Sequence, residues 1–149
     1  MKMLEAVLLI LEKDEKVLFG RRAKTKESLP ERWSLPSEKI KPGEDLVGAV
    51  RRCAEHELGL TKLSNITLYD KKEVHKEGEH KILYFFKANY EGTPTPLAED
   101  ELTELEYHSF KDFFAKYKDK EIGHGLQYLR KSMGFLLVLA VAVTNYILP

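Results

Sequence analysis

The chain has 149 residues, enough for one domain with a sizeable core. Its 24 acidic and 24 basic residues cancel, which argues against a nucleic-acid coat or a polybasic membrane binder. A single cysteine, Cys53, excludes an intramolecular disulfide and fits a reducing compartment.

The N-terminal MKMLEAVLLILEKDEK is not a signal peptide: Glu5 interrupts the apolar run and no small-residue cleavage site follows. The expected location is therefore cytoplasmic. Residues 3–11 are apolar and β-capable except at Glu5 and predict a central strand. A charged turn over 12–16 and the apolar Val17-Leu18-Phe19 predict a hairpin. Arg21 and Arg22 follow this second strand directly. The polar stretch 23–32, with Pro30, reads as a loop.

Residues 33–60, WSLPSEKIKPGEDLVGAVRRCAEHELGL, read as a short strand, a tight loop and one helix. Pro36 and the Pro42-Gly43 pair break the chain, and Glu44 and Asp45 suit a helix N-terminus. Leu46, Val47, Ala49, Val50, Ala54 and Leu58 form an apolar stripe at helical spacing, and Gly59 is a natural stop. At 100° per residue Cys53, His56 and Glu57 share another side, at i, i+3 and i+4. That side offers a thiol, an imidazole and a carboxylate to one site. The blander readings are a small half-buried hydrophobe for Cys53 and solvated surface groups for His56 and Glu57.

This segment resembles the Nudix box, GX5EX7REUXEEXGU, in which U is a bulky aliphatic residue, and Trp33-Ser34-Leu35-Pro36 looks like the lead-in to it. Glu44, Arg52, Glu57, Gly59 and Leu60 stand at matching positions without a gap, and Ala54 is a small stand-in for U. Three positions depart: Glu38 replaces the opening Gly, Cys53 the Glu after the Arg, and His56 the first Glu of the EE pair. The resemblance, to the Nudix (MutT-like) hydrolase superfamily, implies an α+β fold: an α/β/α sandwich around a mixed sheet. It implies hydrolysis of a nucleoside diphosphate linked to another moiety, with Mg²⁺ or Mn²⁺ held by helix-borne carboxylates. On that pattern Glu44, Glu57 and the substituted positions His56 and Cys53 are the metal-site candidates. Arg52 braces the carboxylates, and Arg21 or Arg22 is a candidate for phosphate contact. Hard divalent cations want oxygen donors, and here two have become a thiol and an imidazole. The Cys53, His56, Glu57 trio alternatively suits Zn²⁺, whose ligand set is S, N and O.

After the box, residues 64–75 alternate weakly, 76–79 with Gly78 read as a hairpin turn, and 81–90, KILYFFKANY, form the clearest β run. Residues 92–96 are an exposed loop. Residues 105–110 look like the family's late strand. The resemblance implies a further carboxylate from the segment before it, with Glu101 and Glu104 as candidates to supply the base the box lacks. The bland reading is a solvated acidic loop. Phe113, Phe114 and Tyr117 have helical spacing within 111–118, and 123–131 open another helix.

Residues 132–149, SMGFLLVLAVAVTNYILP, carry no charge. A bilayer span needs about 20 mostly apolar residues, with a floor near 17, so this run is marginal. Three readings compete: packing on the core or in a homodimer interface, a tail anchor flanked by Arg130 and Lys131, and a non-native end. We therefore divide the chain into a domain over 1–133 and a tail over 134–149. Two functions follow from the resemblance: a hydrolase impaired by the loss of two box glutamates, and a non-catalytic module that binds a nucleotide or phosphorylated ligand. Substrate choice is expected from the loops at 24–32 and 92–100, which carry no readable code.

Overall fold

A computed structural model describes residues 2–134. The strand expected over 3–11 runs as β1, Lys2–Lys13, and forms a hairpin with β2, Lys16–Arg22. The two turn residues, Asp14 and Glu15, both take positive φ, 52° and 63°. That backbone matches the right-handed twist of the flanking strands.

Two short strands follow, β3 (Trp33–Ser34) and β4 (Ser37–Lys39), with Leu35 and Pro36 between them. Helix α1 spans Leu46–Leu58. The Asp45 carboxylate caps it by accepting from Gly48 N–H. Gly59 closes it at φ 69°, and its N–H and that of Leu60 donate to the carbonyls of Glu55 and Ala54. Strands β5 (Leu63–Lys76) and β6 (Glu79–Tyr90) form a long hairpin. The late strand β7 spans Leu102–His108, three residues earlier than the sequence suggests, because its backbone pairs along β2 from Val17 to Arg22. Helix α2, Phe110–Lys116, is capped by the Ser109 hydroxyl, which accepts from Asp112 N–H. A further helix occupies residues 124–134.

The strands make one mixed sheet in the order β3-β2-β1-β6-β5. The central pair β1–β6 is parallel and the others are antiparallel; β4 adds to β1 and β7 to β2. Side chains alternate across a strand, so β1 feeds two cores. Val7, Leu9 and Leu11 pack against Ala49, Val50, Cys53, Ala54 and Leu58 of α1. Leu8 and Ile10 face the other way, onto Phe113 of α2 and onto Leu126 and Leu129 of the last helix. Helices thus cover both sheet faces, the α/β/α arrangement expected. Val47, read as part of the apolar stripe of α1, is instead exposed.

Gly125 lets the last helix approach the sheet closely: a Cβ there would meet Leu8 Cδ2 at 2.5 Å. Among the described residues no helix is long and apolar enough to cross a membrane. The readings of the tail after residue 134, including the anchor and the dimer interface, lie outside the described residues.

Candidate functional site

A cleft of about 720 Å³ opens on the sheet, within the size of small-molecule sites. One wall is apolar, with Leu4, Ala6 and Leu8 of β1, Leu83 of β6, and Leu35. The other end is charged, with Arg22, Lys26, Glu38, Arg52 and Glu101. The loop over 24–32 contributes Lys26, Ser28 and Leu29, whereas the loop over 92–100 contributes none of the lining. Ser34 Oγ is buried in this wall without a hydrogen-bond partner among the described residues.

The charged end is built by α1 and β4 together. Arg52 on α1 grips Glu44 through two bonds, Nε to Oε2 at 2.7 Å and Nη2 to Oε1 at 2.9 Å. It also bonds the Lys39 carbonyl at 2.7 Å and one oxygen of Glu38. A planar guanidinium can hold several acceptors in a fixed fork, which fits its bracing role. The bonds to Arg52 hold the Glu44 carboxyl down at about 2, so it is an anion at any working pH.

Glu38 enters through strand register. In the β1–β4 pair it lies opposite Val7, and residues opposite one another point to the same face. Val7 packs under α1, so the Glu38 side chain is aimed at that helix and is largely covered. Its two oxygens meet Arg52 and His56 Nδ1. The sequence flags Glu38 only as a departure from the box. Its role as a site residue is missed there because the deciding fact is a strand pairing.

The helix side read as Cys53, His56 and Glu57 is divided. Cys53 is fully buried in the α1 core, where burial first, and then the charges of Glu57 and Glu38, push its thiol pKa well up. Its thiol donates weakly to Glu57 Oε2 at 3.8 Å. His56 lies at the solvent side, held by Glu38. Glu57 is only 1% exposed and does not itself line the cleft. Burial, the charges of Glu101 and Glu38 and a hydrogen bond with Glu38 raise its carboxyl from 4.5 to about 9, against the pull of Lys26. Glu38 and Glu101 line the cleft, and Glu57 lies behind them.

Of the other candidates, Arg22 and Glu101 reach the cleft, while Arg21 and Glu104 do not. Arg21 and Glu104 form a solvent-exposed pair at 3.5 Å across β2 and β7, lining a separate depression. Arg22 is tied to the Ser28 carbonyl at 2.8 Å, and burial lowers its pKa against the opposing charges of Glu101 and Glu57. Lys26, absent from the sequence-based candidates, bonds Glu101 at 2.7 Å. No pattern in the loop distinguishes it from neighbouring lysines.

The raised carboxyl has a thermodynamic consequence. In the fold Glu57 keeps its proton up to about pH 9, whereas the unfolded chain releases it near 4.5. The folded state binds more protons in that window, so stability is full below it and falls as pH rises through it. The slope reaches about 1.4 kcal/mol per pH unit. Urea unfolding at about pH 5.5 and pH 7.5 is expected to show wild type losing ground to Glu57→Gln, which lacks this linkage. Parallel pH dependence in the two proteins would mean that Glu57 ionises normally.

Solved structures share this architecture. A MutT NUDIX hydrolase from Burkholderia pseudomallei superimposes with a TM-score of 0.71 at 21% identity, over 86% of this chain and 95% of that one. The MutT protein from Methanosarcina mazei Go1 gives 0.68 at 19%, over 82% and 86%. The E. coli ORF135 protein gives 0.62 at 24%, over 75% and 77%. At these identities the likeness is one of fold. No curated protein sequence matches the chain. The family model described as NUDIX domain matches residues 1–129, nearly the whole of the described structure, and so the chain belongs to the NUDIX domain family.

Proposed function

We propose that this protein is a divalent-metal-dependent pyrophosphohydrolase whose substrate is a nucleoside diphosphate linked to another moiety. The observation that carries this reading is the convergence of Glu38, Glu57 and Glu101. A buried carboxyl beside two others, raised to about 9 behind a cleft, supports reading this cluster as a functional site. The box departures also read as a set. Carboxylates are missing from α1 at Cys53 and His56, while β4 supplies one at Glu38, aimed at the same helix.

The donor chemistry fits Mg²⁺ or Mn²⁺. Such ions keep several waters and are commonly bound through one or two carboxylates plus substrate phosphates, so a full protein cage is unnecessary. Glu57 and Glu38 would hold the ion, with Glu101 at the cleft side. A cation held there would supply positive charge that favours the ionised form of Glu57 and offsets the phosphates. Arg52 keeps Glu44 and Glu38 in place, and Arg22 and Lys26 bring positive charge to the cleft where phosphates would lie. Glu101, ion-paired to Lys26, is the carboxylate positioned to take a proton from attacking water. The apolar wall from Leu4 to Leu8 accommodates the rest of the substrate. Zn²⁺ on Cys53, His56 and Glu57 gains no support, since the thiol is sealed and the imidazole is bonded to Glu38.

A second reading has one observation in its favour. Arg52 and His56 already bond both oxygens of Glu38, and Arg52 both oxygens of Glu44, which leaves these carboxylates less free to hold a metal. A panel of nucleoside diphosphate derivatives with Mg²⁺ and Mn²⁺ separates the two. Metal-dependent release of a monophosphate product is the expected result. Measurable binding with no hydrolysis of any member would leave the binding module.

A further inference from the structure

At the tip of the β5–β6 hairpin, Glu73, His75 and His80 place a carboxylate oxygen and two imidazole nitrogens within 4.8 Å of one another. Register explains the grouping. His75 and His80 are direct partners across the ladder, and Glu73 stands two residues before His75, on the same face. The two imidazoles lie nearly parallel, with ring centroids 4.2 Å apart. Both Nε2 atoms approach the same oxygen, Glu73 Oε2, at 3.9 Å from His75 and 3.7 Å from His80. The other carboxylate oxygen is taken by Lys71 at 3.3 Å, which turns Oε2 towards the rings. His80 Nε2 is buried and makes no hydrogen bond among the described residues.

We infer that Glu73, His75 and His80 form a second metal site, separate from the cleft, for a borderline transition-metal dication of the Zn²⁺ kind. Two imidazoles and one carboxylate suit Zn²⁺ and its neighbours rather than Mg²⁺. With Zn–N bonds of roughly 2.0–2.1 Å, two nitrogens on one tetrahedral ion lie about 3.3 Å apart. The three donor atoms, within 4.8 Å of one another, must draw together to reach that spacing, and the exposed side leaves the fourth position to water. The hairpin is closed by a two-residue turn, Glu77-Gly78, with Gly78 at φ 67°. Little loop entropy therefore separates the two histidines before the ion binds. A bound ion would clamp the ends of β5 and β6 together.

The test is calorimetric titration of Zn²⁺ into the full chain in the presence of excess Mg²⁺. One equivalent is expected to bind, more weakly on acidification, because a proton and the metal compete for the same nitrogen. The His75→Ala/His80→Ala double variant is expected to lose more than ~10-fold in affinity, since losing even the groups that support a ligand typically costs about 10–100-fold, with Glu73→Gln in the same direction. Cys53→Ala is expected to bind as wild type does. Absence of saturable binding, binding that survives the double histidine variant, or binding lost in Cys53→Ala each overturns the inference. Amide hydrogen exchange on unmutated protein adds a reading free of folding effects: Zn²⁺ should slow exchange at the β5–β6 tip, and unchanged exchange there argues against the site. None of these outcomes depends on whether the cleft hydrolyses anything.

Discussion

Glu57→Gln is expected to reduce metal-dependent hydrolysis by more than about 10-fold, because it removes a carboxylate proposed to hold the ion, and losing even a group that only supports a metal ligand typically costs about 10–100-fold. The substitution is nearly isosteric with the protonated carboxyl that the fold favours up to about pH 9. The variant should therefore match wild type in stability at acidic pH and gain on it steadily as pH rises from about 4.5 towards about 9, being already the more stable at neutral pH. This combination distinguishes a reactive role from a structural one, because a merely structural glutamate would lose stability along with rate. The measurement is kcat with saturating Mg²⁺, alongside Tm at two pH values. Unchanged kcat would remove Glu57 from the reaction, and a large fall in Tm at neutral pH would show that its carboxylate, not its neutral form, supports the fold.

Cys53→Glu should have the largest effect on stability. It restores the glutamate of the box at a position that is fully buried and 3.8 Å from Glu57 by way of the thiol. Without a cation a third carboxyl is then confined with Glu57 and Glu38. An uncompensated buried charge costs about 3–5 kcal/mol. For a chain of this size the corresponding fall in Tm is roughly 6–20 °C. Mg²⁺ or Mn²⁺ should return much of that loss, since a ligand that binds only the folded state stabilises it by mass action. Cys53→Gln is the control for size: it should be destabilised by packing alone and gain nothing from metal. If Cys53→Glu and Cys53→Gln melt alike and neither responds to Mg²⁺, the helix does not present position 53 to a cation. Adding His56→Glu to Cys53→Glu also removes the imidazole that holds Glu38, so its metal response reports whether freeing Glu38 helps or harms the site.

The box spacing carried most of the architecture. Pro42-Gly43, Asp45 and Gly59 bound α1 through local backbone and capping chemistry, and the structure places Leu46–Leu58 between them. The apolar run of β1 and the aromatic run of β6 are likewise where periodicity puts them, because a strand buried on both faces needs no polar alternation. The start of β7 was less legible: Leu102 to Glu104 have no strand pattern of their own and are held by pairing with Arg21 and Arg22. The grouping of Cys53, His56 and Glu57 was correct as helix geometry, yet angle around an axis does not say what covers each side chain. The sheet covers that face, so Cys53 is sealed in the core with Val7, Leu9 and Leu11, Glu57 becomes a raised, buried carboxyl, and His56 is left at the rim beside Glu38.

By itself the sequence determined the bounds of the box helix, because capping and periodicity act between residues close along the chain, and the spacing of the box implied the fold through its family resemblance. Which carboxylates meet was decided only in three dimensions. Glu38 reaches α1 through its register with Val7, and Glu101 reaches Glu57 from a loop far along the chain. The physical reason is range: capping and periodicity act over one or two turns, whereas burial and charge coupling act across whatever the sheet brings together.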